Sequence, residues 1–304
     1  MTQVNVYLGR EDRPPSLRQI ASGKVRDIYE VDDEHLLFVT TDRVSAFDVV
    51  MREGIPYKGA VLTAIAAHWF GRTGDIVPGH LVTTSLDEVP GLDAGWRERL
   101  AGRSMLVRRA QPDPIEWVVR GYIAGSGWKE YQRSGTVCGL ALPAGLQLAQ
   151  ALPEPILTPT TKHEDHDRPL TPTEAAELVG PERYAEGERI VLELFRRGTQ
   201  ELAELGVKLA DTKFELGRID GQTFLIDEAL TPDSSRFWSV EGYRVGISPP
   251  SYDKQILRDH LETLDWDHEP PPPPIDPAVL ERVGQRYLEI CERITGRSPL
   301  EVTS

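Results

Sequence analysis

The chain has few of the features that mark secreted, membrane-spanning or metal-ribbon proteins. It contains two cysteines, Cys138 and Cys291, too few for a disulfide framework or a four-cysteine metal site. No apolar run approaches the roughly 20 residues that span a bilayer. Residues 1–15 have no apolar segment of the kind that a secretory signal needs. We therefore expect a cytoplasmic protein that does not contact a membrane.

Positive charge is also scarce. The chain has 34 Lys and Arg against 48 Asp and Glu, a net charge of −14. Such a surface repels a phosphate backbone, so we expect no nucleic-acid partner. Only seven of the basic residues are lysines, so each lysine is a candidate for a compact charge that follows a phosphate. An anionic substrate would need a locally basic pocket.

Two common nucleotide motifs are missing as well. No GxxxxGK[ST] sequence is present, and the glycines near residue 121 do not match a dinucleotide-binding fingerprint. The His and acidic residues at 163–167 have neither the spacing nor the cysteines of a zinc site. A nicotinamide cofactor and a structural zinc ion are therefore not predicted.

The length of 304 residues and the apolar content of 39% are sufficient for a core and for two lobes. Strands and helices are predicted in both halves, which favours an α+β fold with two lobes around a cleft over a doubly wound sheet. Residues 143–171 show little periodicity and are interpreted as one long ordered loop. Strands are predicted at 23–31, 35–41, 104–109, 115–122, 207–216 and 222–229, and the main helices at 58–70, 126–133, 182–205, 251–264 and 278–295.

A first group of candidate residues lies at 22–27, with sequence SGKVRD. Gly23 lets the backbone approach an anion, and Lys24 and Arg26 would share one face of a strand. This pattern is typical of a hairpin that binds the phosphates of a nucleotide. The alternative interpretation is an ordinary strand start whose charges are solvated.

The strongest group is the run DTKFE at 211–215. A period of two places Asp211, Lys213 and Glu215 on one strand face. Carboxylates are ligands that Mg²⁺ accepts, and a neighbouring lysine can hold phosphate charge. The returning strand ends in Asp227 and Glu228. A two-residue turn would place Glu228 on the face of Glu215, whereas an odd-length loop or a bulge would place Asp227 there.

Two further segments carry anion-binding residues. Arg120 and Ser126 flank the predicted start of a helix, where backbone N–H groups favour an anion. Arg236 follows two serines in a loop, and an arginine fork beside hydroxyl groups matches a phosphate monoester. Capping of a turn would explain the serines but not Arg236.

Taken together, these segments resemble the phosphoribosylaminoimidazole-succinocarboxamide synthase (SAICAR synthetase) family, in its longer form. The resemblance runs in order through residues 16–296, although Arg26 stands where many members have lysine and the match is looser at 160–168. It is carried by the sequences SGKVRDIYE, TTDRVSAFDVVM, GIPYKGAVLT, EWVVRGYIAGS, LADTKFELG, IDEALTPDSSRFW and SYDKQILRDHL.

The resemblance implies a fold related to the ATP-grasp enzymes and an ATP-dependent carbon–nitrogen ligase of purine biosynthesis. Such an enzyme joins the carboxylate of 5-aminoimidazole-4-carboxyribonucleotide to the amine of L-aspartate through an acyl phosphate, with ATP and Mg²⁺ and as a monomer. The implied domains are a β-rich lobe over ATP at 1–114, a central lobe with the metal and substrate sites at 115–250, and a packed helical extension at 251–304.

The site residues expected from the motifs and the resemblance fall into four sets. The metal ligands are Glu215 and Asp227, and the catalytic residues are Lys213 and Asp211. The substrate contacts also include Lys162, for aspartate, with a mobile surface lysine as the alternative interpretation. The ATP set is Gly23, Lys24, Val25, Arg26, Val107, Pro112 and Lys213, and the remaining substrate set is Arg120, Ser126, Arg236, Ser45, Asp48 and Asp211.

Two other functions remain open from the residues alone. A kinase would share a phosphate loop and an acidic metal pair, but no HRD-like catalytic loop is present. A nucleotide-binding regulatory module would not need the Glu215 and Asp227 pair.

Overall fold

The computed structural model describes residues 6–47, 49–87, 89–162, 168–252 and 254–299. The chain forms two compact units. The first unit is Met1–Trp69, His80–Arg109 and Tyr252–Ser304, and the second unit is Phe70–Gly79 and Ala110–Ser251. The predicted division into three parts stays a prediction. The tail after Ser251 groups with the N-terminal residues in the first unit.

The first unit is built on an antiparallel sheet of five strands with order β1-β2-β3-β7-β6 and a separate β4-β5 hairpin. Tyr29, Leu37 and Val39 are fully buried at the centre of its core because strands β2 and β3 turn alternate side chains inward. Its strands are β1 (Arg18–Ser22), β2 (Arg26–Glu30), β3 (His35–Thr40), β4 (Arg43–Ala46), β5 (Val49–Gly54), β6 (Leu81–Thr83) and β7 (Ser104–Arg108).

Four helices begin in this unit. The last one lies against Pro56, and a Cβ at its Gly284 would be 3.1 Å from the Pro56 carbonyl oxygen. The C-terminal residues are thus packed on the N-terminal ones. The helices are α1 (Lys58–Arg72), α2 (Ala94–Leu100), α6 (Gln255–Leu261) and α7 (Pro277–Thr295).

The second unit has a sheet with order β12-β9-β14-β15, and short strands β8, β13 and β16 extend it. Its long helix packs closely on this sheet, since Gly187 lies where a Cβ would be 2.3 Å from Trp117. The strands are β8 (Gln111–Pro112), β9 (Ile115–Tyr122), β10 (Thr136–Val137), β11 (Leu140–Ala141), β12 (Ala151–Leu157), β13 (Thr160–Thr161), β14 (Val207–Ile219), β15 (Gln222–Ile226) and β16 (Ser235–Ser239), and the helices are α3 (Gly125–Ser134), α4 (Pro172–Val179) and α5 (Pro181–Glu204).

The α+β class and the main predicted elements are confirmed, but several local predictions are wrong, and Arg236, predicted in a loop, lies in strand β16. The segment 143–171 is not one loop, because it contains β12 and β13, both paired with β9. Pro153 and Pro155 conceal this strand in the sequence. They are tolerated because β12 lies at the end of the sheet path and has an irregular register. Helix α6 is also shorter than the predicted helix at 251–264.

Candidate active site

Strands β9, β14 and β16 of the second unit present polar side chains on one face of the sheet. In the ladder between β9 and β14, Asp211 pairs with Arg120 and Lys213 pairs with Val118. Because side chains alternate along a strand, Glu116 and Arg120 share this face with Asp211, Lys213 and Glu215. These five side chains therefore form a two-dimensional array of charges across β9 and β14, which we call the charged array.

At one end of this array a single carboxylate holds two arginines. Arg120 Nη1 and Arg236 Nη1 donate to Asp211 Oδ2 at 2.8 and 2.5 Å. Arg120 also donates to the hydroxyl of Ser126 at 3.1 Å and to that of Thr158 at 3.0 Å. Two guanidinium charges on one carboxylate leave net positive charge, which suits an anionic ligand.

The start of helix α3 is shaped around these two arginines. Gly125 has φ +55°, and a Cβ there would lie 2.3 Å from Arg236 Nη2. A Cβ on Gly127 would meet Arg120 Cδ at 3.3 Å. The N-cap residue, Ala124, makes no side-chain hydrogen bond. The helix N-terminus therefore offers backbone N–H groups beside two guanidinium groups, as an anion site does.

The other end of the array is a chain of alternating charges. Lys213 Nζ lies 2.6 Å from Glu116 Oε1 and 3.9 Å from Glu215 Oε1. Lys162 Nζ donates to the other oxygen of Glu215, and Thr160 Oγ1 donates to Glu116 Oε2 at 3.1 Å. Burial alone lowers the pKa of Lys213, but the charges of Glu116 and Glu215 outweigh it and raise the pKa. Lys213 is thus held in the charged form.

Glu215 and Asp227 form the acidic corner of the site. The hairpin turn is the predicted pair Asp220 and Gly221, both with positive φ, and the ladder closes on Glu215 opposite Ile226. Strand parity alone would favour Glu228, but the ladder ends at Ile226, and Asp227 follows it with φ +64°. Burial, and then the charge of Asp227, raise the pKa of Glu215.

This acidic corner fits a magnesium ion. Two half-buried carboxylates that repel each other gain from a divalent cation between them. Within the part of the chain that the structure describes, no cluster of three or more His, Cys, Asp or Glu has metal-binding geometry. Two protein ligands are consistent with Mg²⁺, which keeps waters and takes phosphate oxygens.

In the first unit, the loop at 22–26 is tightly folded. Gly23 N donates to Arg26 O at 2.8 Å, and Thr41 N donates to Val25 O at 2.9 Å. The prediction that Lys24 and Arg26 share a strand face is wrong, because this turn places Lys24 in the connection before β2. Arg26 lies over the Phe38 ring instead, 5.8 Å from its centroid.

Two important residues escaped the sequence predictions. Arg43 donates to Asp27 at 2.8 and 3.1 Å and to the Gly23 carbonyl at 2.9 Å, so it fixes the loop that Gly23 begins. Glu116 is the nearest anion to Lys213. Both lie inside motifs quoted for the family resemblance, but no local spacing singles out either residue.

The other predicted residues are placed as follows. Val107 is fully buried in β7, opposite Leu36. Pro112 lies in β8, opposite Gly217, and Ser45 lies in β4, opposite Val50. Asp48 lies outside the described residues.

The residue after Pro112 belongs to a buried clamp that the sequence did not predict. Arg183 donates to both carboxylate oxygens of Asp113, at 3.1 and 2.8 Å, and the Trp117 indole donates to the same carboxylate at 3.1 Å. This clamp joins the β8–β9 connector to helix α5.

A basic cluster and a lysine-supported carboxylate pair on one sheet face are typical of enzymes that act on phosphate-bearing substrates. Comparison with known proteins makes the class specific. The family model described as SAICAR synthetase matches residues 19–273. Curated relatives named phosphoribosylaminoimidazole-succinocarboxamide synthase include those of Syntrophotalea carbinolica, 54% identical over 94% of this chain and 97% of that protein, and Thioalkalivibrio sulfidiphilus, 54% identical over 93% and 96%.

Solved structures agree with these relatives. The SAICAR synthase of Saccharomyces cerevisiae complexed with SAICAR has a TM-score of 0.88 and 40% identity, covering 97% of this chain and 99% of that one. A type-2 SAICAR synthetase in complex with ADP has a TM-score of 0.68 and 25% identity, covering 91% and 98%. The chain belongs to the SAICAR synthetase family.

The predicted enzyme class is thereby confirmed. The chain is an ATP-dependent ligase of purine biosynthesis that joins 5-aminoimidazole-4-carboxyribonucleotide to L-aspartate. Neither a kinase nor a regulatory module is favoured. In the described ranges, no helix is long and apolar enough to cross a membrane.

Proposed function

We propose that the charged face of β9 and β14 is where the ribotide carboxylate is activated. The observation that carries this proposal is the placement of the Arg120, Asp211 and Arg236 cluster in line with Lys213 and Glu215 on one sheet face. A carboxylate oxygen of the ribotide attacks the γ-phosphorus of ATP, and ADP leaves. The aspartate amine then attacks the acyl carbon, phosphate leaves, and the amine loses a proton.

The anion site at the start of α3 is proposed to hold the ribotide through Arg120, Ser126 and Arg236. Its net positive charge and the uncapped helix N-terminus support this role. Ser45 and Asp48 remain predicted contacts of the same substrate. Arg236→Ala should raise the KM for the ribotide far more than the KM for ATP, since it removes one anion contact. An equal rise in both KM values would contradict the assignment.

Glu215 and Asp227 are proposed to hold Mg²⁺, with Lys213 as the adjacent phosphate contact. When bound, the ion supplies charge neutralisation for the phosphoryl group. The chain's own contribution is geometric, because Glu116 and Glu215 hold the Lys213 ammonium group in one place. A fixed cation needs no reorganisation as charge develops on the transferred group.

Lys162 is proposed to bind a carboxylate of L-aspartate. Its side chain is 15% exposed and contacts Glu215, which is 13% exposed, so it is not a solvated surface lysine. Asp211 remains the candidate for the aspartate amine. Its Oδ2 already accepts from two arginines, so an amine would approach a shared carboxylate. Lys162→Met should weaken aspartate use about tenfold or more, because a charged hydrogen bond contributes about 1.5–3 kcal/mol.

The loop at 23–26 is proposed to cover the phosphates of ATP, and Val107 and Pro112 to line the adenine. The closed backbone of this loop and its support by Arg43 favour a preformed phosphate contact. A nucleotide-bound structure with adenine elsewhere would overturn the second assignment. We also propose that the enzyme is a cytoplasmic monomer, so light scattering should give a mass near 34.0 kDa.

One experiment tests the function as a whole. ADP release should require the ribotide, and full turnover should require L-aspartate as well. Hydroxylamine should replace aspartate and yield a hydroxamate of the ribotide, because it traps an acyl phosphate. ADP release without the ribotide, or ADP release without any acyl product, would instead indicate a kinase or a simple ATPase.

A further inference from the structure

Three half-buried rings meet at the β4–β5 turn of the first unit. The His268 ring stacks on Phe47 with centroids 4.0 Å apart and an interplanar angle of 3°. The Trp266 ring meets Phe47 edge-on at 6.2 Å and His268 at 5.2 Å. We call Phe47, Trp266 and His268 the aromatic brace. Two of its members come from the C-terminal tail and one from the DRVSAFD segment.

The backbone at Phe47 explains why such support is needed. Ala46 pairs with Val49, so two residues connect the strands, and Phe47 is the first of them, with φ +52°. The favoured two-residue hairpin turns require positive φ at this position and select Gly, Asn or Asp. A phenylalanine is a strained outlier there, and such residues persist only where their surroundings hold them.

The tail that supplies the other two rings is itself held in place. The Trp266 indole donates to the Glu269 carbonyl at 2.7 Å, and Glu269 N donates to Asp267 Oδ1 at 3.0 Å. His268 also has positive φ, +66°. Phe47 and His268, whose rings stack on each other, therefore both have a left-handed backbone.

We infer that Trp266 and His268 are positioning residues, which hold the β4–β5 turn in the conformation that presents Ser45 to the ribotide. Stacking on Phe47 stabilises a backbone conformation that its side chain alone disfavours. The inference rests in part on the proposed function, since it takes Ser45 as a ribotide contact. It gives the C-terminal segment an indirect part in substrate binding, through the β4–β5 turn.

Hydrogen exchange without any ligand tests the brace by itself. His268→Ala should speed amide exchange in peptides covering residues 43–50 by about twofold to tenfold, the effect of one aromatic pair. His268→Phe keeps a stacking ring and should restore slow exchange. His260→Ala, a histidine of α6 outside the brace, is the matched control and should change nothing. Unaltered exchange in His268→Ala would overturn the inference.

Kinetics then separates positioning from general destabilisation. His268→Ala should raise the KM for the ribotide about twofold to tenfold, with kcat and the KM for ATP unchanged and with rescue by His268→Phe. A uniform loss of kcat that His268→Phe does not rescue would overturn the inference. Should His268→Ala fail to fold, Phe47→Leu removes the same ring contact and takes its place.

Ser45→Ala distinguishes the two ways of failing. If Ser45→Ala leaves the ribotide KM unchanged, the proposed substrate contact is wrong, and the exchange experiment alone decides whether the brace exists. If Ser45→Ala raises that KM while His268→Ala does not, the contact stands and the positioning role of His268 is wrong.

Discussion

Glu116 shows how a carboxylate on a neighbouring strand can hold Lys213, the proposed catalytic lysine, in its charged form. The residue is 10% exposed in its side chain and lies between the Lys213 ammonium group and the Thr160 hydroxyl. Its charge and that of Glu215 together outweigh the effect of burial on the pKa of Lys213, so the loss of Glu116 would lower that pKa. Its carboxylate therefore orients the lysine and keeps it charged.

We predict that Glu116→Gln lowers kcat about tenfold, because an amide hydrogen-bonds to Lys213 without the charge that holds it. Steady-state kinetics at saturating substrates measures this effect. Glu174→Gln is the control, since that carboxylate caps helix α4 outside the array. An equal loss of kcat in both variants would mean that Glu116 acts only through stability.

The metal assignment rests on the acidic corner and makes a separate prediction. Glu215→Gln should reduce turnover about 100-fold or more at ordinary Mg²⁺ concentration, since a charged ligand is lost from a site that neutralises phosphate. The melting temperature should not fall, because the variant removes the repulsion from Asp227 while Gln still accepts a hydrogen bond from Lys162. Near-normal turnover would exclude Glu215 as a ligand.

At the scale of elements, helix α3 is adapted to the arginines that approach its first turn. Gly125 combines a left-handed backbone with a position that a Cβ would share with Arg236. Gly135, at the other end of the same helix, has a similar φ of +71° but open space around it. A substitution at Gly135 would therefore cause backbone strain alone, whereas the same substitution at Gly125 would also displace Arg236.

We predict that Gly125→Ala raises the ribotide KM at least tenfold, because Arg236 must move out of the anion site. Gly135→Ala should lower stability by about 1 kcal/mol through the same backbone strain and leave the ribotide KM unchanged. Thermal unfolding and steady-state kinetics on the two variants measure both effects. Similar KM values in the two variants would show that Arg236 is not a ribotide contact.

The loop at 22–26 makes a second prediction at this scale. Arg43→Lys keeps a buried charge near Asp27 but cannot reach the Gly23 carbonyl with a second fork nitrogen. We expect a several-fold rise in the KM for ATP, with kcat retained at saturating ATP. Arg103→Lys, at the ion pair with Asp42 in the same unit, is the control and should leave the KM for ATP unchanged.

For the whole molecule, ligand binding should appear as stability. A nucleotide present at about 100 times its Kd stabilises the folded state by about 2.7 kcal/mol. We predict that ADP with Mg²⁺ raises the melting temperature and that EDTA removes most of the rise. In Glu215→Gln, EDTA should make little further difference. A shift in the parent chain that does not depend on Mg²⁺ would place the nucleotide away from the metal ligands.

The net charge of −14 also belongs to this scale. An acidic surface repels anionic substrates at long range, so arginines and lysines within the site must attract these substrates locally. The array does so with paired charges, in which Asp211 is shared by two arginines and Lys213 lies between two carboxylates. Ion pairing lowers the cost of holding these cations in the fold until a ligand arrives.

The sequence by itself determined much of this protein. A period of two in DTKFE was enough to place three charges on one face, and two residues with positive φ at 220 and 221 were predictable from Asp-Gly. Seven motifs in order were enough to indicate the family. These features are local, so they can be predicted from neighbours in the chain.

Other features required the tertiary structure because they join distant residues. Prolines concealed β12, and only its pairing with β9 revealed the strand. Strand parity left Asp227 and Glu228 open as neighbours of Glu215, and in the folded chain the charge of Asp227, which has a left-handed backbone, acts on Glu215. No periodic pattern in the sequence indicates the hydrogen bond from Arg43 to Gly23, the one from Lys213 to Glu116, or the stacking of His268 on Phe47. Strand register and packing bring these residues together, and neither can be predicted from the spacing of residues that are close in the sequence.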